Sequence, residues 1–99
     1  MKQVTIDFTD IKPNQSVHKI IKNSFKYSDV GGFPDFYGEN ADAFWDCLTG
    51  FIETPCEIIL KGTSNTKDEF LTKEINLIKK ICLRAAADEI WEIKVTIID

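Results

Sequence analysis

Basic side chains are missing from the middle of this chain: between Lys26 and Lys61 there is none, while seven acids stand there, Asp29, Asp35, Glu39, Asp42, Asp46, Glu53 and Glu57. Residues 27–60 sum to −7 and the whole chain to −4, so the remainder carries +3 and the imbalance is local. A pI near 4.9 sets the protein against nucleic-acid phosphate and argues against direct DNA or RNA binding. Paired cysteines are lacking as well. Cys47, Cys56 and Cys82 are odd in number with no C-x-x-C spacing, which disfavours a zinc site and a secreted disulfide framework and reads as reduced core thiols in a cytoplasm. Long apolar runs are absent: nothing approaches the roughly 18 residues of a membrane span, and Met1–Asp7 lacks the core of a signal peptide. The expectation is a soluble cytoplasmic protein with no membrane partner. There is no internal repeat, no low-complexity segment and no glycine-rich phosphate loop, and Lys61-Gly62-Thr63-Ser64 misses the Walker spacing, so nucleotide binding has no support.

What is present fits one domain spanning residues 1–99, with 43% hydrophobic content sufficient for a single core without staples. Val4, Ile6 and Phe8 alternate with polar residues as a strand with one buried face does. Pro13 to Ser16 supply turn and N-cap chemistry, and Val17, Ile20, Ile21, Ser24 and Phe25 then recur at helical spacing up to about Lys26. Residues 28–39, rich in turn formers and without a period, predict a long functional loop. Asn40 caps a second helix whose buried stripe is expected to be Ala41, Phe44, Leu48 and Phe51, stopped by Thr54-Pro55. Glu57–Leu60 reads as a second strand ended by Gly62. From about Thr66, Leu71, Ile75, Ile78, Cys82 and Ala85 mark a long helix, with a break possible near Thr72 and with Phe70, Leu77 and Leu83 widening its apolar face. Trp91, Ile93, Val95 and Ile97 alternate as a third strand. The order strand, helices, strand, helices, strand predicts an α/β fold with a three-stranded parallel sheet and helices chiefly on one face.

At about 100° per residue, Asp42, Asp46 and Thr49 cluster opposite the buried stripe of the second helix, with Gly50 beside them and Trp45 on the border. Asp42 sits in the first turn, where the helix dipole favours a carboxylate by about 0.3–1 kcal/mol, and capping alone explains it. Asp46 is mid-helix and four residues from a like charge, which costs a few tenths of a kcal/mol. A helical Gly50 costs about 1 kcal/mol relative to alanine. Two local penalties beside a tryptophan indicate a contact surface. The stretch also holds seven of the eleven aromatic residues, Tyr27, Phe33, Phe36, Tyr37, Phe44, Trp45 and Phe51, which a merely solvated acidic segment would lack. Three functions are open on these residues: a binder of a cationic protein site, a general acidic interaction module, or a magnesium-dependent enzyme using Asp42 and Asp46 with Glu39 nearby. Nothing pairs the single histidine, His18, with a nucleophile, and it reads as an ordinary helix-surface residue.

The string from Pro34 to Gly50, PDFYGENADAFWDCLTG, closely resembles the signature of the barstar family, small cytoplasmic inhibitors of microbial guanyl-specific ribonucleases such as barnase. The resemblance implies an immunity protein that is not an enzyme, needs no cofactor or metal, is a monomer on its own, and binds a basic ribonuclease 1:1. Its second helix and preceding loop would plug the active site with carboxylates in place of RNA phosphates. Asp46 matches the family's central aspartate, Asp42 would pair with a basic residue at the pocket edge, and Phe36 would pack over the enzyme's catalytic histidine region. Gly38, Asn40, Trp45, Thr49, Gly50 and Phe51 match further contact or supporting positions. Electrostatic steering and a dominant hot-spot aspartate are described for the barnase–barstar pair itself, so those energetics come with the resemblance. The chain departs from the family in Phe36-Tyr37 for Tyr-Tyr, in Phe51 for tryptophan, in a longer loop from Tyr27 to Phe33, and in the acidic contact near the end of the last helix, for which Ala87, Asp88 and Glu89 are all candidates.

Overall fold

A computed structural model describes all 99 residues. The elements run β1 (Lys2–Asp7), α1 (Val17–Lys26), α2 (Ala41–Gly50), β2 (Cys56–Lys61), α3 (Glu69–Ala87), a 3-10 turn (Glu89–Trp91) and β3 (Ile93–Ile98). The sheet has the order β1-β2-β3 and is parallel throughout, with Val4, Ile58 and Val95 in one register row and Ile6, Leu60 and Ile97 in the next. These rows face the helices. The opposite face carries Gln3, Glu57 and Lys94 and then Thr5, Ile59 and Thr96, so helices cover one side and polar groups solvate the other.

Helix starts follow the capping chemistry. Ser16, Asn40 and Asp68 each accept a backbone N–H three residues on, from Lys19 at 3.3 Å, Ala43 at 2.9 Å and Leu71 at 3.0 Å. The third helix therefore begins at Glu69 rather than near Thr66, and it is unbroken at Thr72, whose backbone N–H donates to the Asp68 carbonyl at 2.9 Å while its hydroxyl donates to the same oxygen at 2.8 Å. Its core stripe is narrow: Leu71, Ile75, Ile78, Cys82 and Ala85 are buried, whereas Phe70, Leu77 and Leu83 are exposed and do not widen it. The third strand starts at Ile93, not Trp91. The apolar alternation runs on through the 3-10 turn and a left-handed Glu92 (φ 53°), which together carry Trp91 out of the sheet.

α2 also ends earlier than Thr54-Pro55, at Gly50. Phe51 becomes the C-cap, so its side chain leaves the helical progression and is exposed; Ala41 is only half-buried, and the buried stripe is Phe44, Cys47 and Leu48. The long loop is better anchored than its sequence indicates. Phe33 stacks on Phe25 of α1 at 4.4 Å and meets Tyr37 edge-on at 4.9 Å, and Val30 is fully buried. His18 is not a surface residue. It lies on the same helical stripe as Ile21 and Phe25, is 8% exposed, and its Nδ1 lies 2.5 Å from the Tyr37 hydroxyl. Burial lowers the His18 pKa, against the opposing pull of Glu74 and Glu39. Burial also raises the Tyr37 pKa, so a protonated phenol faces a neutral imidazole.

All three cysteines are buried and free, and burial pushes Cys82 up to about 12, which keeps it an inert thiol. Gly62 closes β2 with φ 68°, and a Cβ there would stand 2.5 Å from the Thr9 nitrogen, so the turn admits only glycine.

Candidate functional site: an acidic helix edge flanked by aromatics

α2 packs mainly against α3 rather than on the sheet, which makes it an outer helix with one side free. Within the preceding loop the chain turns sharply at Gly38-Glu39-Asn40. Glu39 adopts φ 52°, a left-handed conformation that costs a non-glycine residue roughly 1–2 kcal/mol. Asn40 secures the turn from both ends of its amide, accepting from Ala43 and donating to the Gly38 carbonyl at 3.2 Å. A Cβ on Gly38 would come within 3.2 Å of that amide nitrogen, so Gly38 and Asn40 together shape the helix start while both stay exposed.

From this start Asp42 and Asp46 project together into solvent, one turn apart. Thr49 does not join them fully. It is half-buried, and its hydroxyl donates to the Trp45 carbonyl at 2.9 Å. Gly50 is helical and exposed with nothing within 4 Å of where a Cβ would sit, so the fold places no demand on it. Beyond it, Phe36 at 78% exposure and Phe51 at 49% form an edge-to-face pair with centroids 6.0 Å apart. An exposed aromatic pair at one end of an acidic edge has the composition of an interface anchor.

The seven acids of the basic-free stretch fall into two groups. Asp29 accepts from the Gln3 backbone at 3.1 Å, Glu53 pairs with Lys2, and Glu57 takes Thr96 at 2.6 Å and Gln3 at 2.9 Å on the open sheet face. The Thr96 hydroxyl, foremost, holds the Glu57 carboxyl below its ordinary range. Asp35, Glu39, Asp42 and Asp46 have neither a salt bridge nor a side-chain hydrogen bond, and all four lie on α2 or the loop that feeds it. No group of three or more His, Cys, Asp or Glu is close enough to hold a metal ion, so the magnesium reading of Asp42 and Asp46 lacks a third ligand.

The α3 side of this face escaped the sequence reading. Arg84 lies over the Trp45 ring, guanidinium carbon to centroid 4.9 Å, and Trp91 stands edge-on to Trp45 at 6.3 Å and 84°. Leu77, Ile81 and Arg84, at i, i+4 and i+7 on α3, share a recess with Asp42, Trp45 and Asp46. That spacing was the available signal; Leu77 was counted with the apolar face of the helix, and Ile81 and Arg84 were passed over. Among the candidates for a terminal acidic contact, Asp88 is committed to capping Ile90 at 3.2 Å, whereas Glu89 is exposed without a hydrogen bond beside Trp45, Arg84 and Trp91.

Comparison with known proteins places the chain in a family. Over 62 residues the chain is 38% identical to "Putative ribonuclease inhibitor YrdF" of Bacillus subtilis (strain 168), an alignment that spans 63% of this chain and 62% of that protein's length. The family model described as Barstar (barnase inhibitor) matches residues 1–97. With a match over nearly the whole length, a parallel three-stranded sheet and an outer acidic helix, the chain belongs to the barstar family.

Proposed function

We propose that this protein inhibits a microbial guanyl-specific, barnase-like ribonuclease by occupying its active site with the α2 edge, Asp46 taking a catalytic-pocket phosphate position and Asp42 a cation at its rim. The observation that carries the reading is the sorting of charge within the basic-free stretch: Asp29, Glu53 and Glu57 are held by internal partners, while Asp35, Glu39, Asp42 and Asp46, on α2 and just before it, are left bare. A bare carboxylate facing guanidinium or ammonium groups makes short, charge-assisted bonds once water is expelled. Phe36 and Phe51 supply apolar contact, Gly50 permits close backbone approach, and Gly38, Asn40, Trp45 and Thr49 hold the edge in shape. The inhibitor blocks access and performs no chemistry, without cofactor or metal.

Three buried, unpaired thiols suit a reducing compartment, and the same reading has the protein act in the cytoplasm as a monomer that binds its enzyme 1:1. The test is titration of RNA hydrolysis by a panel of guanyl-specific ribonucleases. Stoichiometric loss of activity in at least one enzyme, relieved by salt, is the expected result. Undiminished hydrolysis across the panel at micromolar inhibitor overturns the reading.

A further inference from the structure

We infer that Arg84 determines which ribonuclease the inhibitor accepts, by receiving a carboxylate that the enzyme carries beside its cationic site; this rests on the ribonuclease-inhibitor reading above. In sequence the acidic stretch is free of cations, but in space it is not: α3 delivers Arg84 into the recess that Asp42 and Asp46 line. The guanidinium carbon lies over the Trp45 ring at 4.9 Å, and Trp91 braces that ring from the side, so a cation–π contact holds the head group at this edge. That contact supplies no hydrogen-bond acceptor, so the N–H donors of the group are not used up by it.

Those donors have no acceptor within the protein. The two ion pairs of the molecule are Lys2–Glu53 and Lys94–Glu57, and although Asp42, Asp46, Asp88 and Glu89 border the same recesses, none reaches Arg84 within 4.0 Å. An exposed guanidinium with no hydrogen-bond partner, held over Trp45 beside carboxylates that await cations, opposes the approach of a cationic site. The same head group, restrained by its contact with Trp45, can take a carboxylate in bidentate fashion with less loss of side-chain freedom than an unrestrained arginine. The face is therefore mixed, two carboxylates and one guanidinium, and its complement is a cationic pocket with an Asp or Glu at the rim. A ribonuclease presenting lysine or arginine there is rejected by like charge.

Charge reversal at Arg84 gives a result whose sign decides the matter. Were the residue only a contributor to the overall field, Arg84→Glu would make the face more negative, speed association with a cationic enzyme and tighten binding. With a carboxylate opposite, Arg84→Glu instead weakens the cognate pair by about tenfold or more, chiefly through faster dissociation. Arg84→Lys, which keeps the charge but loses the bidentate plane, lies between wild type and Arg84→Glu. The affinity ranking across the ribonuclease panel is also reordered by Arg84→Glu, whereas lost support of Trp45 would lower every affinity alike. Surface plasmon resonance with wild type, Arg84→Lys, Arg84→Glu and Asp46→Ala reads all of this. Unchanged or tighter binding by Arg84→Glu, while Asp46→Ala is impaired, overturns the assignment of Arg84 alone; if the wild type binds no ribonuclease, the inhibitor reading fails and this assignment falls with it.

Discussion

Gly50→Ala should make the free protein more stable and the inhibitor worse. Gly50 is the last residue of α2, and a Cβ there would have nothing within 4 Å, so no clash offsets the gain in helix propensity. Glycine to alanine in a helix interior is worth about 1 kcal/mol, and at a terminal turn about half of that survives. For a domain of this size such a gain raises Tm by about 2–4 °C. In the complex the new methyl stands on the edge that carries Asp46, where the proposed enzyme surface closes. Overpacking a tight contact costs about 1–3 kcal/mol, or roughly 5- to 150-fold in Kd. Differential scanning fluorimetry of the free protein and inhibition assays on one preparation give both numbers. A lower Tm would contradict the reading of Gly50 as unconstrained by the fold, and a raised Tm with unchanged inhibition would remove Gly50 from the interface.

Stability should fall as pH drops below about 6.5, the ordinary histidine value, because burial lowers the His18 pKa and the unfolded chain then binds the extra proton. The His18 contribution is fully present above 6.5 and is lost as pH falls toward the depressed folded value; urea midpoints between pH 7 and 5 measure it, and His18→Gln flattens that part of the slope. Tyr37→Phe removes the hydroxyl beside His18 and leaves a buried ring nitrogen unpaired, at about 1–3 kcal/mol in chemical denaturation. Phe36→Ala, by contrast, changes stability by less than about 0.5 kcal/mol because the ring is exposed, yet it weakens inhibition. Gly62→Ala puts a methyl into the Thr9 backbone at a left-handed position, a loss of about 2–4 kcal/mol in the same denaturation assay.

The periodic elements were legible because local chemistry and tertiary packing agree on them. β1, α1 and β2 follow their apolar periods, and Ser16 and Asn40 cap where capping residues should. Legibility failed where a pattern outran its element. Phe51 continues the stripe of α2 in sequence but lies past its end, and Trp91 continues the alternation of β3 while standing in a 3-10 turn. His18 had the spacing of a core residue, and only its residue type argued for the surface. At the site, the exposure of Asp42 and Asp46 followed from helical projection alone. Arg84 did not, because its meeting with Trp45 depends on how α2 and α3 pack, a relation that no local spacing encodes.

The central claim is that bare carboxylates on α2 occupy a cationic ribonuclease site, and calorimetry of Asp46→Ala beside Glu57→Ala tests it most directly. Asp46 is exposed and unpaired, whereas Glu57 lies on the open sheet face with its carboxylate already engaged by Thr96 and Gln3. The account predicts that Asp46→Ala leaves the free protein at least as stable, through better helix propensity and relief of repulsion from Asp42, and weakens binding by about 2–5 kcal/mol. Glu57→Ala should leave affinity within about 0.5 kcal/mol of wild type, with association slowing as salt rises in both proteins. Equal losses from the two substitutions would contradict the account, since they would make the acidic face a diffuse charge and not a fitted one.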